Sequence, residues 1–277
     1  MDIAEKNPNA TLSVSILSGK GGVGKTNMAL NLGFALFKAG HRLLLMDFDV
    51  GLANIDVLLG LSPEKNLQDL FRPGATAEDV VYPIESGGFD FLPSASGVPE
   101  LLEMDEDMRE ALFSKLNSVF TRYDYLFLDH GAGISSNVLS AASMSRMPIL
   151  VVTPEPTSLT DGYAVVKVLA AKHRVRNFHV LVNQVASAKE GQRTFDRLAA
   201  ACERFLGLHL SFLGSVRLDA AVPEAVRRQV PLMKHAPTCP AAQDIIAVAV
   251  KIHRHRQKLG AKLKEGTILK NILERAS

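Results

Sequence analysis

Cysteine is scarce in this sequence. Cys202 and Cys239 lie too far apart for a CxxC pair, and no Cys/His cluster has zinc or iron–sulfur spacing. That excludes a disulfide framework and a structural metal, and it leads us to expect a reducing compartment. An excess of one charge sign is also missing. Thirty-one Lys+Arg against 29 Asp+Glu leave a net charge of +2, so the chain is no polycation built to coat nucleic acid, and no specific nucleic-acid partner is expected. Long hydrophobic runs are absent too, with nothing near the roughly 18 consecutive apolar residues of a spanning helix. The opening MDIAEKNPNATLS has acidic residues and no apolar core of a secretory signal, which points to a cytoplasmic protein.

What remains is ordinary globular composition, 47% hydrophobic and 22% charged over 277 residues. Short aliphatic runs recur at Leu12–Leu17, Arg42–Met46, Phe89–Leu92, Tyr125–Leu128, Ile149–Val152, Phe178–Val182 and Leu210–Val216, each followed by a longer helical pattern. Runs as apolar as YLFL and ILVV imply strands buried on both faces. The expected fold is therefore α/β, a mostly parallel twisted β-sheet flanked by helices, with ligands at the carboxyl ends of the strands. One domain over 1–258 and a tail over 259–277 is the economical division. From Val250 onward the chain carries a net +6, which leaves −4 on residues 1–249. Such segregation points to an anionic partner for the tail.

Directly after the first strand comes Gly19-Lys20-Gly21-Gly22-Val23-Gly24-Lys25-Thr26, leading into the apolar periodicity of Met28, Leu32, Ala35 and Leu36. This is GxxxxGK[ST] in its required strand-to-helix setting. Glycines let successive N–H groups point into one concavity, the helix adds its positive end, Lys25 reaches the β- and γ-phosphates, and Thr26 can ligate Mg²⁺. ATP and Mg²⁺ are the expected cofactors. The additional Lys20 makes the loop KGGVGKT, and here the sequence resembles the deviant-Walker P-loop ATPases of the MinD, ParA and flagellar-number FlhG/FleN type. The resemblance implies that Lys20 crosses an ATP-sandwiched homodimer interface to the partner's nucleotide. Its cation would then act in trans where charge builds up during phosphoryl transfer.

The second strand runs into Asp47-Phe48-Asp49, where carboxylates are costly to bury without a task. By resemblance this is switch I, with Asp49 orienting the attacking water and Asp47 near the metal. Tyr125–Asp129 has the form of a Walker B strand whose Asp129 holds Mg²⁺ through water. Asp129-His130-Gly131-Ala132-Gly133 resembles the DxxAG switch II, in which Gly133 responds to the γ-phosphate. His130 is read as a loop histidine and not a base. The stretch EPTSLTD has helix-start chemistry, with Ser/Thr available to cap, and the resemblance adds Glu155 and Asp161 to the dimer face. Asn183 ends another strand; its amide offers a donor and an acceptor together, and in the family it reads the adenine edge.

From Thr267 to Arg275, Ile268, Leu269, Ile272 and Leu273 share one helical face, so an amphipathic membrane-targeting helix is expected. One copy would bind an anionic membrane weakly, while two copies joined by ATP would bind tightly through effective concentration. The reading is a dimerising ATPase, reversibly peripheral at the inner face of the cell membrane, that regulates flagellar number or placement. A Min-type division-site ATPase and a ParA-type partitioning ATPase are the alternatives. Val50–Leu61, Glu155–Lys167 and Asn183–Gln192 carry the similarity to the flagellar branch. That branch implies as partners the flagellar GTPase FlhF, flagellar switch (C-ring) proteins or a flagellar transcription activator. The DQAxxLR-type segment of many FlhG proteins is not seen in the opening residues, which leaves the GTPase pairing open.

Overall fold

Leu12–Leu17, the strand β1, lies inside an eight-stranded sheet of order β3-β4-β2-β5-β1-β6-β7-β8. The computed structural model describes residues 10–49, 55–72, 74–93, 112, 115–265 and 267–269. The remaining strands are β2 (Leu43–Phe48), β3 (Tyr82–Glu85), β4 (Phe89–Leu92), β5 (Tyr125–His130), β6 (Met147–Val152), β7 (Phe178–Val185) and β8 (Leu210–Arg217). All neighbouring pairs are parallel except β3–β4, which is antiparallel. Strand β3 was not anticipated. It is short, contains Pro83 and sits at the sheet edge, where a missing N–H is tolerated.

The helices are α1 (Lys25–Lys38), α2 (Ile55–Leu59), α3 (115–120), α4 (Ser136–Ser143), α5 (Pro156–His173), α6 (Ala188–Leu206), α7 (Ala221–Arg227), α8 (Leu232–His235) and α9 (Pro240–Leu259). Alternation along the strands separates two apolar layers. Leu43, Leu45, Tyr125 and Phe127 pack beneath α1 and α9, while Leu44, Met46, Leu126 and Leu128 face the opposite side. A third group joins β6 and β7 to α5 and α6 through Leu150, Val165, Leu169, Phe178 and Leu198. Because parallel strands start at one edge and end at the other, the loops after β1, β2, β5, β6 and β7 all emerge together.

The segment after α9 rests against the body. Helix α9 runs to Leu259, a 3₁₀ turn follows over Gly260–Leu263, and Leu263 packs in the α1/α9 layer. Ile268 and Leu269, expected on a membrane-facing helix, are 2% and 9% exposed and join the opposite layer with Met46, Leu126 and Met144. Thr267–Leu269 is not helical. Leu263 thus packs on one face of the sheet, and Ile268 and Leu269 pack on the other. The cause is an apolar floor on β2 and β5 that two aliphatic side chains can cover, each gaining about 1.5–3 kcal/mol gross. Ile272 and Leu273 lie outside the described residues.

His130 is a correction: it is the final residue of β5 and fully buried, not part of a loop.

Candidate nucleotide-binding site

The turn between β1 and α1 bends through two left-handed glycines, Gly22 at φ +78 and Gly24 at φ +84. A Cβ at Gly21 or Gly22 would point into open space, whereas one at Gly24 would meet the Asn183 amide nitrogen at 2.5 Å. Gly19 is closed in from the other side, because a Cβ there would lie 2.4 Å from the backbone of Asp161. Helix α1 starts on Gly24 with no side-chain cap and no acidic residue in its first turn. Its first amides and its positive end are therefore available to an anion in front of the open glycines. This cradle fits a phosphate chain.

Below it the charged side chains converge. Lys25 is 7% exposed, and its Nζ donates to Asp129 Oδ1 at 2.7 Å; Thr26 Oγ1 is 3.4 Å away. Burial pushes the Asp129 carboxyl above its ordinary value, an effect opposed by the Lys25 ammonium. Asp47 is fully buried on the neighbouring strand, in register with Asp129. Its Oδ1 accepts from the Asp49 N–H at 2.8 Å. A Cβ on Gly131 would come within 3.1 Å of Asp49 Oδ1, so the loops after β2 and β5 abut. The loop after β5 is also tied to the phosphate-binding turn, with Gly133 N–H donating to the Ser18 carbonyl at 2.9 Å. Gly133 has φ +108.

Asn183 is buried at the end of this row, its Nδ2 donating to the Val23 carbonyl at 2.8 Å. Sequence reasoning missed its neighbour Gln184, which adopts φ +58 and brings Nε2 to 3.4 Å from the Gly22 carbonyl. Both amides brace the turn.

Lys20 projects away from the cradle, to Glu155 Oε2 at 2.5 Å and Thr157 Oγ1 at 2.9 Å. Helix α5 begins at Pro156 on Glu155 without a side-chain cap; the expected Ser/Thr capping is replaced by Ser158 Oγ accepting from Thr153 N–H at 3.0 Å. His130 takes no part in this charge cluster. Burial and the Lys25 ammonium push its imidazole down to about 3, so it is neutral.

Parallel α/β topology, a glycine turn opening onto an uncapped helix, and an adjacent Lys–Asp pair define a P-loop nucleotide-binding protein. Residues 14–232 match the model of the CobQ/CobB/MinD/ParA nucleotide binding domain, and the chain belongs to that family, as an ATPase of the MinD/ParA type. Among relatives, the antiactivator FleN of Pseudomonas aeruginosa is 36% identical over 239 residues, covering 86% of this chain and 85% of its own. The flagellum site-determining protein YlxH of Helicobacter pylori is 34% identical over 246 residues, 88% and 82% of the two chains. The Pyrococcus furiosus cell division ATPase MinD superposes with a TM-score of 0.71 at 26% identity, covering 88% of this chain and 99% of that one.

Proposed function

We propose that this chain is a Mg²⁺·ATP-dependent dimerising switch that regulates flagellar number or placement, with membrane attachment controlled by nucleotide. The flagellar assignment is carried by the likeness to FleN and YlxH, which extends over more than four-fifths of all three chains. The switch chemistry is drawn from the site. The cradle and the α1 amides bind the phosphates, and Lys25 leaves Asp129 to hold them. Thr26, Asp47 and Asp129 would hold Mg²⁺, which when bound draws charge from the transferring phosphoryl group. Asp49 orients water, and Asn183 reads the adenine edge from beside the turn. Lys20 moves from Glu155 to the partner's nucleotide, and Asp161 lies at the same dimer face. No strong base stands in the loop, so unassisted turnover falls at roughly 10⁻⁴–10⁻² s⁻¹ and is raised by a partner or membrane.

For the tail, Ile268 and Leu269 must first leave the body. Their docking opposes membrane insertion by about 3–6 kcal/mol gross, so one copy prefers the body and two tethered copies favour an anionic bilayer. Among the described residues no helix is long and apolar enough to cross a membrane, and attachment would be peripheral. FlhF, C-ring proteins or a flagellar transcription activator would read the ATP-bound dimer.

Deleting the gene and counting flagella and minicells tests the assignment. Extra or misplaced flagella on normally divided cells are expected. Normal flagellation with minicells or anucleate cells would replace it with a division-site or partitioning role.

A further inference from the structure

Two serines occupy a fully buried central strand. Ser13 and Ser15 of β1 are both 0% exposed and project to the face opposite α1, since side chains alternate along a strand. Ser15 Oγ donates to the Ala142 carbonyl at 3.1 Å and lies 2.9 Å from His130 Nε2. Its single proton being used, His130 donates through Nε2 and presents a bare Nδ1, which has no partner among the described residues. Ser13 Oγ donates to the Ile268 carbonyl at 2.6 Å and accepts from Arg146 N–H at 3.1 Å. The Arg146 guanidinium reaches three tail carbonyls, of Thr267 at 3.1 Å, Glu265 at 3.3 Å and Lys262 at 3.5 Å.

Helix α4 connects these two groups of contacts. It starts just after the loop that follows His130, and its last turn contains Ala142, to whose carbonyl Ser145 Oγ also donates at 3.3 Å. Its Ala141 and the following Met144 belong to the apolar floor under Ile268 and Leu269. The loop before it contains Gly131 and the left-handed Gly133, which leave it free to change shape.

We propose that the contacts from His130 through Ser15, α4, Arg146 and Ser13 transmit the state of the switch II loop to the tail, so that rearrangement of residues 130–135 unclamps residues 262–269. The inference rests on the ATPase reading of that loop and specifies how its state is passed on. The clamp suits reversible release. Arg146 is half-buried, and among its described contacts it meets carbonyl dipoles but no carboxylate, with Nε unpartnered. Such a guanidinium is weakly compensated and is lost from its seat by a small shift of α4. Coupling is reciprocal, so a docked tail also holds the loop in the arrangement that favours the nucleotide-free state.

Hydrogen–deuterium exchange on the purified full-length chain, read on peptides covering 262–269, tests this with and without a non-hydrolysable ATP analogue. Exchange in the unmodified chain should rise when the analogue is added. Arg146→Ala should exchange at least about tenfold faster with no nucleotide, as expected for lost charge-assisted bonds, and Arg146→Lys should be intermediate. Ser15→Ala should keep basal protection and lose the response to the analogue; His130→Phe, which keeps a ring, should do the same. Arg146→Ala with full protection, or both Ser15→Ala and His130→Phe with full response, would overturn the link. Sedimentation with phosphatidylcholine/phosphatidylglycerol vesicles is read separately. Tail exchange that behaves as expected without vesicle binding supports the link while removing the membrane as the tail's destination.

Discussion

The Lys20 ammonium sits 2.5 Å from the Glu155 carboxylate of its own chain. The lysine assigned to act in trans is therefore held in cis, at the head of α5, with Thr157 Oγ1 as a second acceptor. The pair is solvent-accessible, at 38% and 61% side-chain exposure, so it is worth at most about 1 kcal/mol. It is a parking place that the proposed ATP-driven dimerisation would empty.

Lys20→Ala should abolish ATP-induced dimerisation or hydrolysis. Glu155→Gln should release the lysine and lower the ATP concentration for half-dimerisation by no more than about fivefold. Light scattering during ATP titration reads both, and a Lys20→Ala protein that still dimerises and hydrolyses would remove the trans role.

Asp49→Ala should bind ATP and remain dimeric while phosphate release falls by about a hundredfold. Single-turnover phosphate release checks this. Rapid product formation would show that Asp49, despite its place against Gly131, does not orient water.

Lys25 and Asp129 are nearly inaccessible partners, at 7% and 1% exposure. Lys25→Met should abolish nucleotide binding and cost about 3–5 kcal/mol of stability, because a buried carboxylate loses its counter-charge. Adding Asp129→Asn should recover most of that stability but no binding. Urea unfolding of the three proteins separates the two effects.

Acid should weaken the fold through His179, whose imidazole burial pushes down to about 4 beside His255. The unfolded chain takes up this proton near pH 6.5 and the folded one does not. The contribution is complete above about 6.5 and is lost as pH falls toward 4. Urea midpoints at neutral pH and at about pH 5 should differ less in His179→Gln than in the parent.

Much of this was legible because local chemistry and global fold agree. Leu12–Leu17 is a strand by composition, the glycine turn follows directly, and α1 begins at Lys25. Asp47 and Asp129 were placed by their strands, and their register makes them neighbours. Tyr82–Glu85 was not legible, because a four-residue edge strand with a proline has almost no pattern to detect. His130 was misplaced because glycines after it suggested a loop, while Ser15 across the sheet draws it into the core. The docking of the tail on the body was not legible for a related reason. Ile268 and Leu269 show the periodicity of a lipid-facing helix, yet the same apolar side chains satisfy a protein groove equally well. Sequence periodicity specifies that a face is apolar and not what covers it.

The packing of Leu263 in one apolar layer and of Ile268 and Leu269 in the opposite one affects the body as well as the tail. Until Ile268 and Leu269 dock, the floor of Leu126, Leu128 and Met46 lacks its cover. A chain in that state carries exposed apolar surface that invites aggregation. Expressing residues 1–258 alone would make that state permanent. A shortened protein that fails to localise would then report a damaged body as readily as a missing anchor.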